Sequence, residues 1–320
     1  MSQSGGLART GLRGLRRASA AADARGAGLA LSRGPHGSFA LQGLCSSCID
    51  TSAPARRLPP RAAQLRRLSS SADGDSGGLA FDPSRLSPLM ADIRSRINAS
   101  AVARGCAPSA AELARDLGVP ERDVREALDG LAELHALVLH PRGDHRRAGE
   151  VWVAHPFAFF PTSFEVEFGS DRRRVRSPCI WCSLGVAAAL HQARSEDCVI
   201  HTCTGGDPER PVSIPITAGR VAGGKALWKA HFVVPAREAW GNVIHTCANM
   251  LAFEDERAID VWCARWGEPK GDVRSLEEAM DMAAGWYGHY LEAPWRKLSP
   301  TEVRDLFKRT GFDNDFWSLS

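Results

Sequence analysis

The segment Pro178-Cys-Ile-Trp-Cys-Ser-Leu-Gly-Val-Ala-Ala-Ala-Leu190 constrains this chain more than any other. Cys179 and Cys182 form a C-x-x-C that opens an apolar helical stretch, Leu184–Gln192, and a lone Cys247 follows 65 residues after Cys182 in NVIHTCANMLAF. Short β segments surround these elements. Val151–Ala154, Phe164–Phe168, Val199–Thr202, Val212–Ile216 and Ala230–Val234 alternate or run as brief apolar strands. Gly205-Gly206-Asp207-Pro208 marks a turn between two of them. Trp240–Leu251, which holds Cys247, is mixed in character.

Helical signals bracket this region. From Ser87 onward, Leu89, Ile93 and Ile97 share one face. Ser109 and Glu112 form a capping box for AAELARDL, Gly118-Val119-Pro120 makes a turn, and ERDVREALDGLAELHAL supplies a second helix. Two short helices across a Gly-containing turn describe a helix-turn-helix, with Val138–Val153 as the strands of a wing. Three helices close the chain: Glu256–Trp266, Ser275–Leu291 with a Ser275/Glu278 box, and Pro300–Arg309 with Ser299 as cap and Pro at the first position. The predicted class is α+β. A winged-helix-like region spans 88–153, a small mixed β-sheet core with helices 154–266, and a helical C-terminal tail 267–320.

Charge sets the first 72 residues apart. They hold eleven Arg, no Lys and only Asp23 and Asp50, a net +9, leaving 29 basic and 35 acidic residues in the other 248, a net −6. An Arg-rich, Ser-rich, acid-poor leader is the pattern of an organellar transit peptide, with Arg66-Arg67-Leu68-Ser69-Ser70-Ser71 resembling a mitochondrial processing site. The expected destination is the mitochondrion, with the plastid as the alternative. Residues 73–87 form a linker, and Cys45 and Cys48 fall within the leader. The mildly acidic body argues against a polyanion partner, and the second helix of the helix-turn-helix carries more acids than arginines, so no nucleic acid partner is expected. No run of 18 apolar residues occurs, so no membrane-spanning helix is predicted.

Seven cysteines follow the leader: Cys106, Cys179, Cys182, Cys198, Cys203, Cys247 and Cys263. An odd number argues for reduced thiols over a disulfide framework. Cys106, Cys198 and Cys263 read as buried small hydrophobes. Three chemistries suit a C-x-x-C with a distant third thiol. Zinc would require a second knuckle from His201-x-Cys203 or His245-x-Cys247. Thioredoxin-like exchange would use the helix N-terminus to acidify a thiol, but needs a βαβ context that is missing. In the third, two thiolates from different segments chelate a soft ion such as mercury while a neighbouring acid protonates the carbon bound to it.

Here the residues carry a resemblance. PCIWCSLGVAAAL resembles the first active-site segment of organomercurial (alkylmercury) lyases, and HTCANMLAF resembles the second. Val199–Cys203, Gly205-Gly206 and Pro211–Ser213 are similar to the family's Cys-containing β-turn-β unit. Asp260–Ala264, Gly285–Tyr287 and Phe316-Trp317 resemble a longer-tailed branch. The resemblance covers 88–320 and is most specific over 150–262. It implies that Cys179 and Cys247 are the two nucleophiles, that Cys203 is structural, and that Cys182 stands where the family carries a proton-shuttling Asp. All three of Cys179, Cys182 and Cys247 would contact substrate or product mercury. The implied reaction is protonolysis of R–Hg⁺ to R–H and Hg²⁺, with an organomercury substrate, low-molecular-weight thiols for product release, no redox cofactor and no membrane partner. Two other readings stay open: a non-catalytic thiol protein that binds Hg²⁺ or another soft metal, and a winged-helix DNA-binding regulator.

Overall fold

The computed structural model describes residues 83–319 apart from 142 and 144–146. The leader at 1–72, its processing segment, and the linker up to 82 lie outside the described residues. Pro83–Arg85 forms one 3₁₀ turn at the end of the predicted linker. Helix α1 (Pro88–Arg104) then starts where the periodicity begins, with the Ser87 side chain accepting from the Met90 N–H at 3.2 Å. Helix α2 (Ala110–Leu117) opens on the predicted capping box, and α3 (Glu121–Glu133) follows the Gly118 turn. On α3, Arg125 pairs with Glu121, and Arg122 with Asp123 and Glu126. A three-stranded antiparallel sheet comes next: β1 (Val138–Leu139), β2 (Val151–Ala154) and β3 (Phe157–Ala158).

The central layer is built around one helix. Strands β4 (Glu165–Phe168) and β5 (Arg173–Arg176) lead into α4 (Ile180–Arg194), after which β6 (Cys198–Cys203), β7 (Pro211–Thr217) and β8 (Arg220–Val221) complete a sheet ordered β5-β4-β6-β7-β8. Every pairing in it is antiparallel, with Val166 opposite Val175 and Ile200, and Ile200 opposite Ile214. Along β6, Cys198, Ile200 and Thr202 turn inward and the intervening residues do not, the period of two that a half-buried strand requires. Arg173 and Arg174 lie in β5, while Arg172 just before it adopts a positive φ of 53°.

The strands predicted as a wing thus form their own antiparallel sheet, and the predicted small mixed core sheet is two antiparallel sheets. The third orders β10-β9-β11, from β9 (Lys229–Phe232), β10 (Leu251–Phe253) and β11 (Asp272–Ser275). Between β9 and β10 lies α5 (Val243–Ala248), a short helix inside the stretch read as mixed, and α6 (Glu256–Trp266) follows β10 as predicted. Strand β11 interrupts the predicted helical tail. It runs directly into α7 (Leu276–Tyr287), so Ser275 ends a strand and caps a helix. A 3₁₀ turn (Gly288–Leu291) and α8 (Pro300–Arg309) finish the fold.

Helix α4 is buried from Cys182 to Leu190 without interruption, the mark of a helix enclosed on all sides. It contacts β4, β6 and α7. Gly185 makes the approach of α7 possible, because a Cβ there would lie 2.3 Å from the Tyr287 ring.

The N-terminal helices join this core through a buried arginine. Arg94 on α1 is fully buried. Its guanidinium donates to the carbonyls of Ala136 (3.1 Å) and His155 and to the Asn98 side chain, and it stacks over the Tyr290 and Trp295 rings. Asn98 passes the link on, donating to the Tyr290 carbonyl at 2.7 Å. Burial lowers the Arg94 pKa to about 10, so it stays charged at neutral pH. Substituting Arg94→Met leaves these buried acceptors without a donor. The expected loss is roughly 3 kcal/mol in urea unfolding; a loss within about 0.5 kcal/mol would mean that this tether is dispensable.

Candidate active site

Cys179 is the N-cap of α4. Its φ of −162° is extended, and its sulfur accepts the Cys182 N–H at 3.3 Å. Ser, Thr, Asp or Asn normally holds this position through oxygen; here a sulfur does so, and α4 begins at Ile180 rather than at Leu184. The Cys179 carbonyl accepts the Ser183 N–H and hydroxyl, both at 2.9 Å, while Ser177 and Ser183 share a 2.6 Å hydroxyl contact. The turn carrying Cys179 is therefore held from both sides.

The Cys247 segment is fastened to the same turn. The Ile180 N–H donates to the Met250 carbonyl at 3.2 Å, and Met250 Sδ lies 3.8 Å from Cys179 Sγ. Residues 247–250 form the end of α5 and the entry to β10, so the strand pairing of β10 with β9 and the first amide of α4 together set where Cys247 sits. All three predicted cysteines come together: Cys179, Cys182 and Cys247 are 0%, 1% and 6% exposed, Cys182 donates its N–H to Cys179 Sγ, and the Cys182 and Cys247 sulfurs lie within 4.8 Å of each other.

The proton distribution among the thiols is uneven. Burial pushes the Cys179 thiol up, but hydrogen bonds from Cys182 and Cys247 and from the backbone N–H groups of Cys182 and Trp181 outweigh it and hold Cys179 well below an ordinary thiol. Burial, with the hydrogen bond that it gives Cys179, pushes Cys182 well up. The hydrogen bond to Cys179 likewise pushes Cys247 up, and burial adds to it. These surroundings favour negative charge on Cys179, at a helix N-terminus where amide dipoles stabilise it, over Cys182 and Cys247.

Several residues that were not singled out from sequence complete the site. His155, between β2 and β3, places Nε2 3.5 Å from Cys247 Sγ. Burial and the charges of Arg94 and Lys297 lower its pKa to about 3, so it is a neutral imidazole. Tyr287 sets its hydroxyl 3.8 Å from Cys182 Sγ, and burial pushes that phenol well up. Lys297 donates to the carbonyls of Leu134 (2.8 Å) and His135 (3.3 Å), and burial and Arg94 lower its pKa to about 7. A solitary His and Lys flanked by apolar and aromatic residues, AHPFAFF and PWRKL, are the only sequence signals these positions offer.

Cys182, Cys247 and His155 line an apolar cavity of about 70 Å³. Both tyrosines of the chain and four of its nine tryptophans (Trp181, Trp240, Trp286, Trp317) form its walls. Trp181 packs edge-on against Trp286 with centroids 5.3 Å apart, and the C-terminal Trp317 reaches the cavity after packing on Phe307 and Phe312. An aromatic, apolar cavity lined by the thiols of Cys182 and Cys247 suits a soft, polarisable electrophile carrying a hydrocarbon group.

The other predicted candidates lie elsewhere. His201 bonds Ser213 and faces Glu167, and His245 bonds Asn249, so neither supplies a second zinc knuckle. The antiparallel surroundings of α4 differ from a βαβ redox unit. Cys203 is half-buried at the end of β6, opposite Pro211. Cys198 is buried as expected. Cys106 is exposed, because it falls in the loop after α1, and Cys263 is only partly buried on the outer part of α6.

Residues 157–288 match the family model for alkylmercury lyase. A solved structure, the mercury-bound form of MerB2, is similar in fold at 17% identity and a TM-score of 0.48, over 66% of this chain and 95% of that one. No functionally curated protein matches this chain in sequence.

The distribution of protons has a direct readout. Thiolate absorbance followed against pH should show one thiol ionising below the ordinary range of about 8.5, and Cys179→Ser should abolish that step. If the step survived in Cys179→Ser, the thiolate would belong to another cysteine.

Proposed function

We infer that this chain, whose residues 157–288 match the family model for alkylmercury lyase, is an organomercurial lyase that cleaves R–Hg⁺ to R–H and Hg²⁺. The observation that carries this reading is geometric: three buried cysteines from two separate segments gather beside one apolar, aromatic cavity, with Cys179 capping α4 and Cys182 and Cys247 on the cavity lining, and their surroundings favour ionisation at Cys179 and protonation at the other two. Attack and protonation at one carbon–metal bond require both states side by side.

The steps follow from those states. The substrate arrives as R–Hg–SR′, carried by a low-molecular-weight thiol. The Cys179 thiolate bonds to mercury and displaces R′S⁻, which takes the Cys247 proton and leaves as R′SH. The Cys247 thiolate then adds to mercury and raises the electron density on carbon. Cys182 delivers its proton to that carbon, the carbon–mercury bond breaks, and R–H departs. The Tyr287 hydroxyl, 3.8 Å away, is placed to hydrogen-bond the Cys182 thiolate left behind. Cys182 thus does in sulfur what a carboxylic acid does elsewhere in the family; its raised pKa keeps the proton in place until carbon takes it. No redox change occurs and no resident cofactor is needed; external thiols remove the Hg²⁺.

Two further assignments belong to this reading. Residues 1–72 act as a mitochondrial transit peptide, with a plastid address as the alternative, on the strength of eleven arginines against two acids. Residues 88–153 act as a winged-helix-like module that supports the site and binds no nucleic acid, because the α3 arginines pair with acids of their own helix.

The test is hydrocarbon release from phenylmercury in excess thiol. Wild type should yield benzene, whereas a mere mercury binder would yield none. Cys179→Ser and Cys247→Ser should each slow release by about 100-fold or more, and Cys182→Ala by a factor within the 10²–10⁴ range of a lost general acid. Cys182→Asp should keep activity well above Cys182→Ala. Equal rates for the Ala and Asp variants would remove the proton role of Cys182.

A further inference from the structure

His155 lies outside the residues that match the family model, and the reaction as written makes no use of it. Yet its ring, Cys182 Sγ and Cys247 Sγ put their donor atoms within 4.8 Å of one another, and they are the only such group among the described residues to gather three donors of this kind. Donors on opposite sides of one ion, with bonds of about 2.3 Å, lie roughly 4.6 Å apart. A spacing of 4.8 Å or less therefore needs only small side-chain movements to close on one ion.

The ring is held without being used structurally. Arg94 grips the His155 carbonyl, and Trp240 packs edge-on against the imidazole with centroids 5.4 Å apart. Nδ1 is buried and has no hydrogen-bond partner, and Nε2 faces only the Cys247 sulfur. A histidine kept for stability normally satisfies both nitrogens when buried. This one presents a nitrogen donor to two sulfurs in an otherwise apolar cavity. Thiolate and imidazole are the ligands that suit a soft divalent ion.

We propose that His155 is a ligand for the product, so that Hg²⁺ comes to rest on Cys182, Cys247 and the His155 imidazole. The proposal rests on the lyase reading for the origin of the ion. After carbon has taken the Cys182 proton, mercury is bonded to the sulfurs of Cys179 and Cys247 beside a new Cys182 thiolate. The Cys182 sulfur and the His155 nitrogen bond to mercury, and the mercury–Cys179 bond breaks. Cys179 recovers its thiolate, the form that the helix N-terminus favours. Two external thiols then take Hg²⁺ as Hg(SR′)₂ and return one proton each to Cys182 and Cys247. Atoms and charges balance, no oxidation occurs, and the starting protonation pattern is restored.

The experiment uses the full chain labelled with ¹⁵N-histidine and one equivalent of ¹⁹⁹Hg²⁺. Long-range proton–nitrogen spectra should show one of the ten histidines shifted and coupled to mercury, and His155→Asn should remove that signal. The coupling should persist in Cys179→Ser and vanish in Cys182→Ser. In parallel, His155→Phe should speed transfer of bound Hg²⁺ to excess glutathione by roughly tenfold or more. If wild-type His155 showed no shift on loading, or if the coupling required Cys179, the proposal would be overturned. Phenylmercury cleavage by the same sample separates the two readings. Benzene release with a silent His155 sinks the product site and keeps the lyase; a coupled His155 without benzene does the reverse.

Discussion

A buried negative charge needs donors, and the Cys179 thiolate obtains them from the start of α4. Its sulfur accepts the Cys182 N–H at the N-cap, and interactions with the other two cysteines further lower its pKa. An isolated ion in so apolar a setting would instead take up a proton. Much of the surrounding structure maintains this arrangement. Helix α4 has to be enclosed for its first turn to be dry, so it is packed by the sheet strands β4 and β6 and by α7. Gly185 brings α7 close enough for Tyr287 to reach Cys182. The contact between the Ile180 N–H and the Met250 carbonyl then fixes the second cysteine segment to the first.

Two basic groups lie near the site. Arg94 and Lys297 are both deeply buried, and each donates to backbone carbonyls. Burial, reinforced by their fields, keeps His155 neutral. Lys297, His155 and the two thiols are thus polar groups on a lining that is otherwise mostly apolar and aromatic. Arg94 also makes the site depend on the N-terminal helices. It sits on α1, yet the carbonyl it holds belongs to His155. Loss of α1 would free the backbone that carries the imidazole.

Local signals in the sequence carried much of the fold. Ser109, Ser275 and Ser299 cap helices through side-chain geometry confined to four residues, and all three boxes form. The starts of α1 and α8 and both ends of α6 agree with periodicity for the same reason. Where two local rules met, the prediction was incomplete. Asp272–Ser275 falls in the stretch read as a helical tail, with Ser275 as a cap, but pairing with β9 makes it a strand that ends on that cap. Val243–Ala248 holds too few residues for a helical period to emerge, and tertiary contacts complete it.

The sequence by itself determined the chemistry on offer: a C-x-x-C opening an apolar helix, a third cysteine in a separate segment, and an arginine-rich first 72 residues set apart by charge. Only the tertiary structure decided which groups meet. Cys247 reaches His155 across 92 residues, Met250 reaches Cys179 across 71, and Tyr287 reaches Cys182 across 105. No helical or strand period extends that far, because such contacts come from packing layers against one another rather than from hydrogen bonds along the chain. The tertiary structure also decided which thiol is ionised. That depends on the N–H groups and protonated sulfurs gathered around Cys179, and the three cysteines are chemically identical until the chain folds.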